Sequence, residues 1–168
     1  REKITAGHFP TELEKEIRAK YAELGESKRV AVRSSATAED LPDASFAGQQ
    51  ETYLNVQGIN DVLLQIRNCY ASLWGERAVS YRLNQGYDQS AVAIAVVIQK
   101  MVESEKAGVL FTVNPVTHNK DEMQINASYG LGESVVSGRV TADSYIVNKN
   151  GAIREVSIGS KETQIVYA

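Results

Sequence analysis

The chain has 168 residues, 43% of them hydrophobic, and a formal net charge of −3. That is material for one ordinary core or two small lobes. The acidic balance and the lack of any lysine/arginine block exclude a general electrostatic binder of nucleic acid. The longest apolar run, Ala91–Ile98, is too short to cross a bilayer.

Taken in chain order, Thr11 followed by Glu14 forms a capping box just after Pro10. Leu13, Ile17, Tyr21 and Leu24 then recur at helical spacing until Gly25. The rest of that face is Lys, Glu and Arg, so residues 1–28 read as a solvated N-terminal edge helix. Arg29–Arg33 reads as a short strand, 34–47 as a loop and Glu51–Val56 as a second strand. Val62, Ile66, Cys69 and Leu73 form the stripe of a second helix, which places Cys69 in the core. As the single cysteine, Cys69 excludes an internal disulfide and a cysteine zinc site. With no signal peptide in view, a cytoplasmic location is expected.

Trp74-Gly75 interrupts the helical pattern, and Glu76–Asn84 continues it as a third helix closing at Gly86. Val92–Gln99 is a continuous apolar strand, expected at the centre of a sheet. Val109–Val113 is a second such strand, and Glu122–Ala127 alternates, with Met123, Ile125 and Ala127 on one face. Tyr145–Asn148 and Ala152–Ser157 flank Asn150-Gly151, a hairpin signal. Residues 164–168 read as a further strand. With Arg1 rather than Met in first place, the chain is expected to be a piece of a longer protein. The order of elements gives an α+β fold with a mostly antiparallel sheet and no strict βαβ alternation.

Residues 30–50 carry the chemistry. A short apolar strand ends at Arg33, a run of small and hydroxyl residues follows, and then Gly48 and Thr52. Small residues let backbone approach a ligand, hydroxyls and amides donate to phosphate oxygens, and a guanidinium suits an anion. The stretch is neither a Walker A loop nor a dinucleotide fingerprint. From the residues alone, Arg33 serves equally as a phosphate cation or as the partner of Glu39 or Asp40. Gly48 and Thr52 fit a phosphate turn or an ordinary turn and strand. Gln99 ends an apolar strand, as a solvent-boundary amide or as a reader of a base edge.

The segment Val32-Arg33-Ser34-Ser35-Ala36-Thr37-Ala38-Glu39-Asp40-Leu41-Pro42, followed by Ser45-Phe46-Ala47-Gly48-Gln49-Gln50, resembles the signature of the PEP/pyruvate-binding, ATP-grasp-like domain. That domain occurs in phosphoenolpyruvate synthase, pyruvate phosphate dikinase and rifampin phosphotransferase. Further matches follow in register: Ala71-Ser72-Leu73-Trp74, Val97-Ile98-Gln99-Lys100-Met101-Val102, Ala107-Gly108-Val109-Leu110-Phe111-Thr112 and Gly130-Leu131-Gly132-Glu133. The resemblance implies that residues 29–168 are part of an ATP-grasp-like domain, with Arg33, Gly48, Thr52 and Gln99 contacting ATP and Arg33 also catalytic. It implies an ATP-dependent phosphotransferase in which a phosphohistidine on a separate domain of the parent chain relays the phosphoryl group to a small-molecule acceptor on another domain. Mg²⁺ ligands are expected outside this fragment, so no metal ligand is assigned within it.

His8 and His118, the two histidines, sit in charged or polar surroundings with no nucleophile setting, and both are expected at the surface. Two rival readings remain at this stage: a non-catalytic nucleotide-binding or regulatory module, and a purely structural α+β domain.

Overall fold

The computed structural model describes residues 1–25, 28–37, 40–41, 44–45 and 51–166. Its elements are α1 (Glu2–Thr5), α2 (Thr11–Leu24), β1 (Val30–Ala36), β2 (Asp40–Leu41), β3 (Ala44–Ser45), β4 (Thr52–Val56), α3 (Ile59–Ser72), α4 (Glu76–Asn84), β5 (Ile94–Lys100), β6 (Lys106–Phe111), β7 (Glu122–Tyr129), α5 (Glu133–Val136), β8 (Asp143–Asn148) and β9 (Ile153–Ser157). Every strand pairing between these elements is antiparallel, so the α+β class holds. The chain divides into two compact units, Arg1–Met101 and Val102–Ala168.

In the first unit the sheet runs β4-β1-β5. Period-2 alternation sends Val30 and Val32 to one face, where they meet Val62, Ile66 and Cys69 of α3 and Tyr21 of α2. Val96 and Ile98 of β5 pack onto the same cluster. Burying aliphatic side chains of this size stabilises by roughly 1.5–3 kcal/mol each, and it fixes which residues of β1 and β5 face outward. Cys69 is fully buried, with its Sγ–H directed at the Val32 carbonyl 3.6 Å away. Burial first, and the charge of Glu51 second, push its thiol up to about 12, so it stays a protonated core residue at neutral pH.

Several expectations are corrected here. Thr11 is the first helical residue of α2, Pro10 holds the cap position, and no side chain caps the helix. Glu14 instead pairs with Arg18 one turn on, at 2.6 Å. Leu13 lies 43% exposed, off the buried stripe that Tyr21 occupies. β1 continues through Ser34, Ser35 and Ala36, all expected in a loop. Pairing with β5 down to Ala36↔Ile94, and the Ser34 hydroxyl donating to the Glu51 carbonyl at 3.0 Å, override their weak strand preference. Arg33 therefore stands inside a strand, exposed, and not at the end of a buried one. β5, expected central, is an edge strand among the described residues, and its burial alternates.

The second unit is the meander β6-β7-β8-β9. The Asn150-Gly151 turn forms as expected: Gly151 has φ +88, and the Asn150 side chain accepts from the Ala152 amide at 3.0 Å. Residues 164–166 do not form an ordinary strand; Ile165 makes a single parallel bridge to Gly130. Glu122, the first residue of β7, is 8% exposed and holds the Asn114 amide and the Arg154 guanidinium. Asn114 in turn accepts from the Val116 and Thr117 amides and shapes the 114–119 turn. Among the described residues no helix is long and apolar enough to cross a membrane.

Candidate functional site

β1 is the spine of the site. Because Val30 and Val32 face α3, Arg33 faces the opposite side of the sheet. Its partner across β4 is Thr52 and its partner across β5 is Val97, so Thr52 shares the outward face with Arg33. Gln99 lies two residues further along β5 from Val97, and so on that face too. The Arg33 guanidinium donates from Nη1 to the Gln99 Oε1 at 3.2 Å. Arg33, Thr52 and Gln99 are all exposed, on a face that the core packing of the unit leaves open.

Three of the four residues picked from sequence thus come together from three different strands, separated by up to 66 positions in the chain. Gly48 lies outside the described residues. So do Glu39 and the side chain of Asp40, the ion-pair partners considered for Arg33. The backbone of 40–45 forms the small β2-β3 pairing, Asp40↔Ser45 and Leu41↔Ala44.

Chemically the face offers a fixed cation, a hydroxyl beside it, and an amide at its far end. An exposed guanidinium whose partner is a neutral amide keeps its full charge for an anion. Strand spacing puts Thr52 about 5 Å from Arg33 across the sheet, and Gln99 about 7 Å from Val97 along its strand. A ligand crossing diagonally from Gln99 to Thr52 meets an amide first, the cation next and the hydroxyl last. His8 and His118 are exposed, and neither neighbours this face in the strand register. Among the described residues no group of three or more His, Cys, Asp or Glu is arranged to hold a metal ion.

Arg82 passed unremarked in the sequence and is fully buried. It donates to the Leu73 carbonyl at 2.7 Å and to Gln89 at 2.6 Å, and lies 5.6 Å from the centre of the Trp74 ring. Burial lowers its pKa. These contacts bind α4 back onto the end of α3, which is a packing role.

The family described as pyruvate phosphate dikinase, AMP/ATP-binding domain, matches residues 1–168. The chain is 56% identical over 164 residues to the phosphoenolpyruvate synthase of Pyrococcus furiosus, an alignment covering 94% of this chain and 20% of the relative. It is 51% identical to the probable phosphoenolpyruvate synthase of Methanocaldococcus jannaschii, covering 99% of this chain and 14% of the relative. It is 48% identical to the rifampicin phosphotransferase of Bacillus cereus, covering 98% and 19%. The chain thus spans about a fifth of the length of the first of these relatives. The family match over the full length shows that the chain belongs to the pyruvate phosphate dikinase AMP/ATP-binding domain family.

Proposed function

We propose that the chain is the ATP-binding part of a phosphotransferase that passes a phosphoryl group from ATP, through a phosphohistidine on another domain of the parent chain, to a small-molecule acceptor. The observation that carries this reading is the convergence of Arg33, Thr52 and Gln99 on one open face of β4-β1-β5. Arg33 neutralises charge on the phosphates, where phosphoryl transfer needs electrostatic stabilisation more than covalent help. Thr52 donates its hydroxyl to a phosphate oxygen beside the guanidinium, and Gly48 lets backbone approach the same group. Gln99 reads the adenine edge. Its Oε1 also accepts from Arg33, so the exocyclic amine of adenine and the guanidinium share that oxygen as acceptor.

Residues 29–168 fit an ATP-grasp-like arrangement, completed by segments outside this chain. The ligands of Mg²⁺ are proposed to lie elsewhere in the parent, and no step is assigned to it here. The acceptor is pyruvate or an antibiotic, the two classes that the names of the relatives suggest.

The test is to incubate the full-length parent with ATP and Mg²⁺ and follow AMP and inorganic phosphate. Release of both supports a dikinase-type transfer. A rise in melting temperature with ATP and no release makes the chain a nucleotide-binding module instead.

A further inference from the structure

One residue of the outward face has no role so far. Val97 stands 48% exposed, paired across the sheet with Arg33 and two residues before Gln99 on the same edge strand. A lone exposed valine is ordinary by itself. Its setting is what matters. Along the same face Gln99 pairs with Ala31, and Ala95 pairs with Ser35. With Arg33 directly across, Gln99 and Ala95 beside it on β5, and Ala31 and Ser35 on the diagonals, Val97 is the one large aliphatic group among these outward positions of β1 and β5. A β-branched side chain in a strand is held in few rotamers, so it presents a rigid apolar surface.

Resting on the ATP reading of this face, we infer that Val97 is the platform against which the purine ring lies, and so a specificity-determining residue of the nucleotide site. The order of groups fits the parts of a nucleotide. Gln99 lies about 7 Å along β5 from Val97, within reach of a base edge when the ring covers the valine. Arg33 lies about 5 Å across the sheet and Thr52 about 10 Å, on the side where the phosphates follow. An aliphatic side chain there removes one face of the base from water, which a bare triphosphate cannot exploit.

The experiment is calorimetric titration of the full-length protein with ATP and, separately, with tripolyphosphate, for the wild type, Val97→Thr, Val97→Met and Arg33→Ala. Val97→Thr keeps shape and strand preference but adds a hydroxyl, and the position is exposed, so folding should survive; circular dichroism checks this. The expected result is ATP affinity reduced about fivefold to tenfold in Val97→Thr, retained in Val97→Met, and tripolyphosphate affinity unchanged in both. Equal weakening of ATP and tripolyphosphate, or no change in either, overturns the assignment of Val97. If Arg33→Ala weakens both ligands while Val97→Thr changes neither, the ATP site stands and only the role of Val97 falls. If the wild type binds neither ligand, the ATP reading falls and this inference with it.

Discussion

At the residue scale, Arg33 and Gln99 make opposing demands on one hydrogen bond. The guanidinium is parked on Gln99 Oε1 at 3.2 Å, between two exposed side chains, where such a bond adds little stability. Removing Arg33 is therefore expected to leave the fold intact and, on the proposed function, to take a cation away from the phosphates. Arg33→Ala in the full-length protein is expected to lower the phosphoryl-transfer rate by roughly two to four powers of ten with unchanged circular dichroism. Normal turnover in that variant would end its catalytic role. Gln99→Leu separates base reading from arginine positioning. ATP binding is expected to weaken by about 1–3 kcal/mol while tripolyphosphate binding stays within twofold. If both ligands weaken equally, Gln99 serves chiefly to orient Arg33. The sequence supplied these residue types, but the contact between Arg33 and Gln99 spans 66 positions and follows only from the strand register.

At the element scale, the segment after β9 behaves as a strap with two fastenings. Gly159 donates to Asp143 at 2.9 Å, and Lys161 pairs with the same carboxylate and with the Gly159 carbonyl. Further on, the Leu131 amide donates to the Ile165 carbonyl at 2.7 Å. Gly130 has φ +77, and a Cβ built there would lie 2.2 Å from that carbonyl oxygen. Gly130→Ala is thus expected to destabilise by at least about 2 kcal/mol. Gly151→Ala, with φ +88 and open space around it, should cost only the backbone penalty of about 1–2 kcal/mol. Equal midpoints for the two variants in urea would refute the strap contact. The hydrogen bonds from Lys161 and the Gly159 amide hold the Asp143 pKa below its ordinary 3.8. A depressed carboxylate contributes stability that is present above its unfolded value and lost as pH falls through the folded value. Protection of the Gly159 amide, measured as its exchange rate relative to the intrinsic rate at the same pH, should therefore be high at neutral pH and fall as the carboxylate is protonated in acid. In Asp143→Asn protection should be about tenfold lower at pH 7, and less dependent on pH in acid. The Gly130-Leu131-Gly132-Glu133 stretch carries the glycines of a turn and leads into α5. Its parallel bridge to Ile165 was not legible in the sequence, because nothing in residues 164–166 encodes a pairing partner some 35 positions away.

At the scale of the whole molecule, the chain is expected to bind nucleotide without carrying the phosphoryl group. His8 and His118 are both exposed, and His118 occupies a left-handed turn position at φ +57, with its amide donating to the Asn114 carbonyl at 2.9 Å. Among the described residues neither imidazole makes a hydrogen bond that would orient its second ring nitrogen as a relay requires. In the full-length protein, labelling with radioactive ATP should give acid-labile phosphate that survives His8→Ala and His118→Ala undiminished. Loss of label in His118→Ala would make this chain a self-contained kinase. By itself the sequence determined the α+β class, the helical stripe of Val62, Ile66 and Cys69 and the Asn150-Gly151 turn, and it supplied the residue types on which the proposed nucleotide site rests. Those follow from local periodicity and turn chemistry, which act over a few residues. Only the tertiary structure decided that Ser34–Ala36 continue a strand, that β5 is an edge among the described residues, and that Glu122 is buried between Asn114 and Arg154. Each of these depends on which strand lies alongside, and strand pairing is a non-local choice made by burying one face of β1 and β5 against α3.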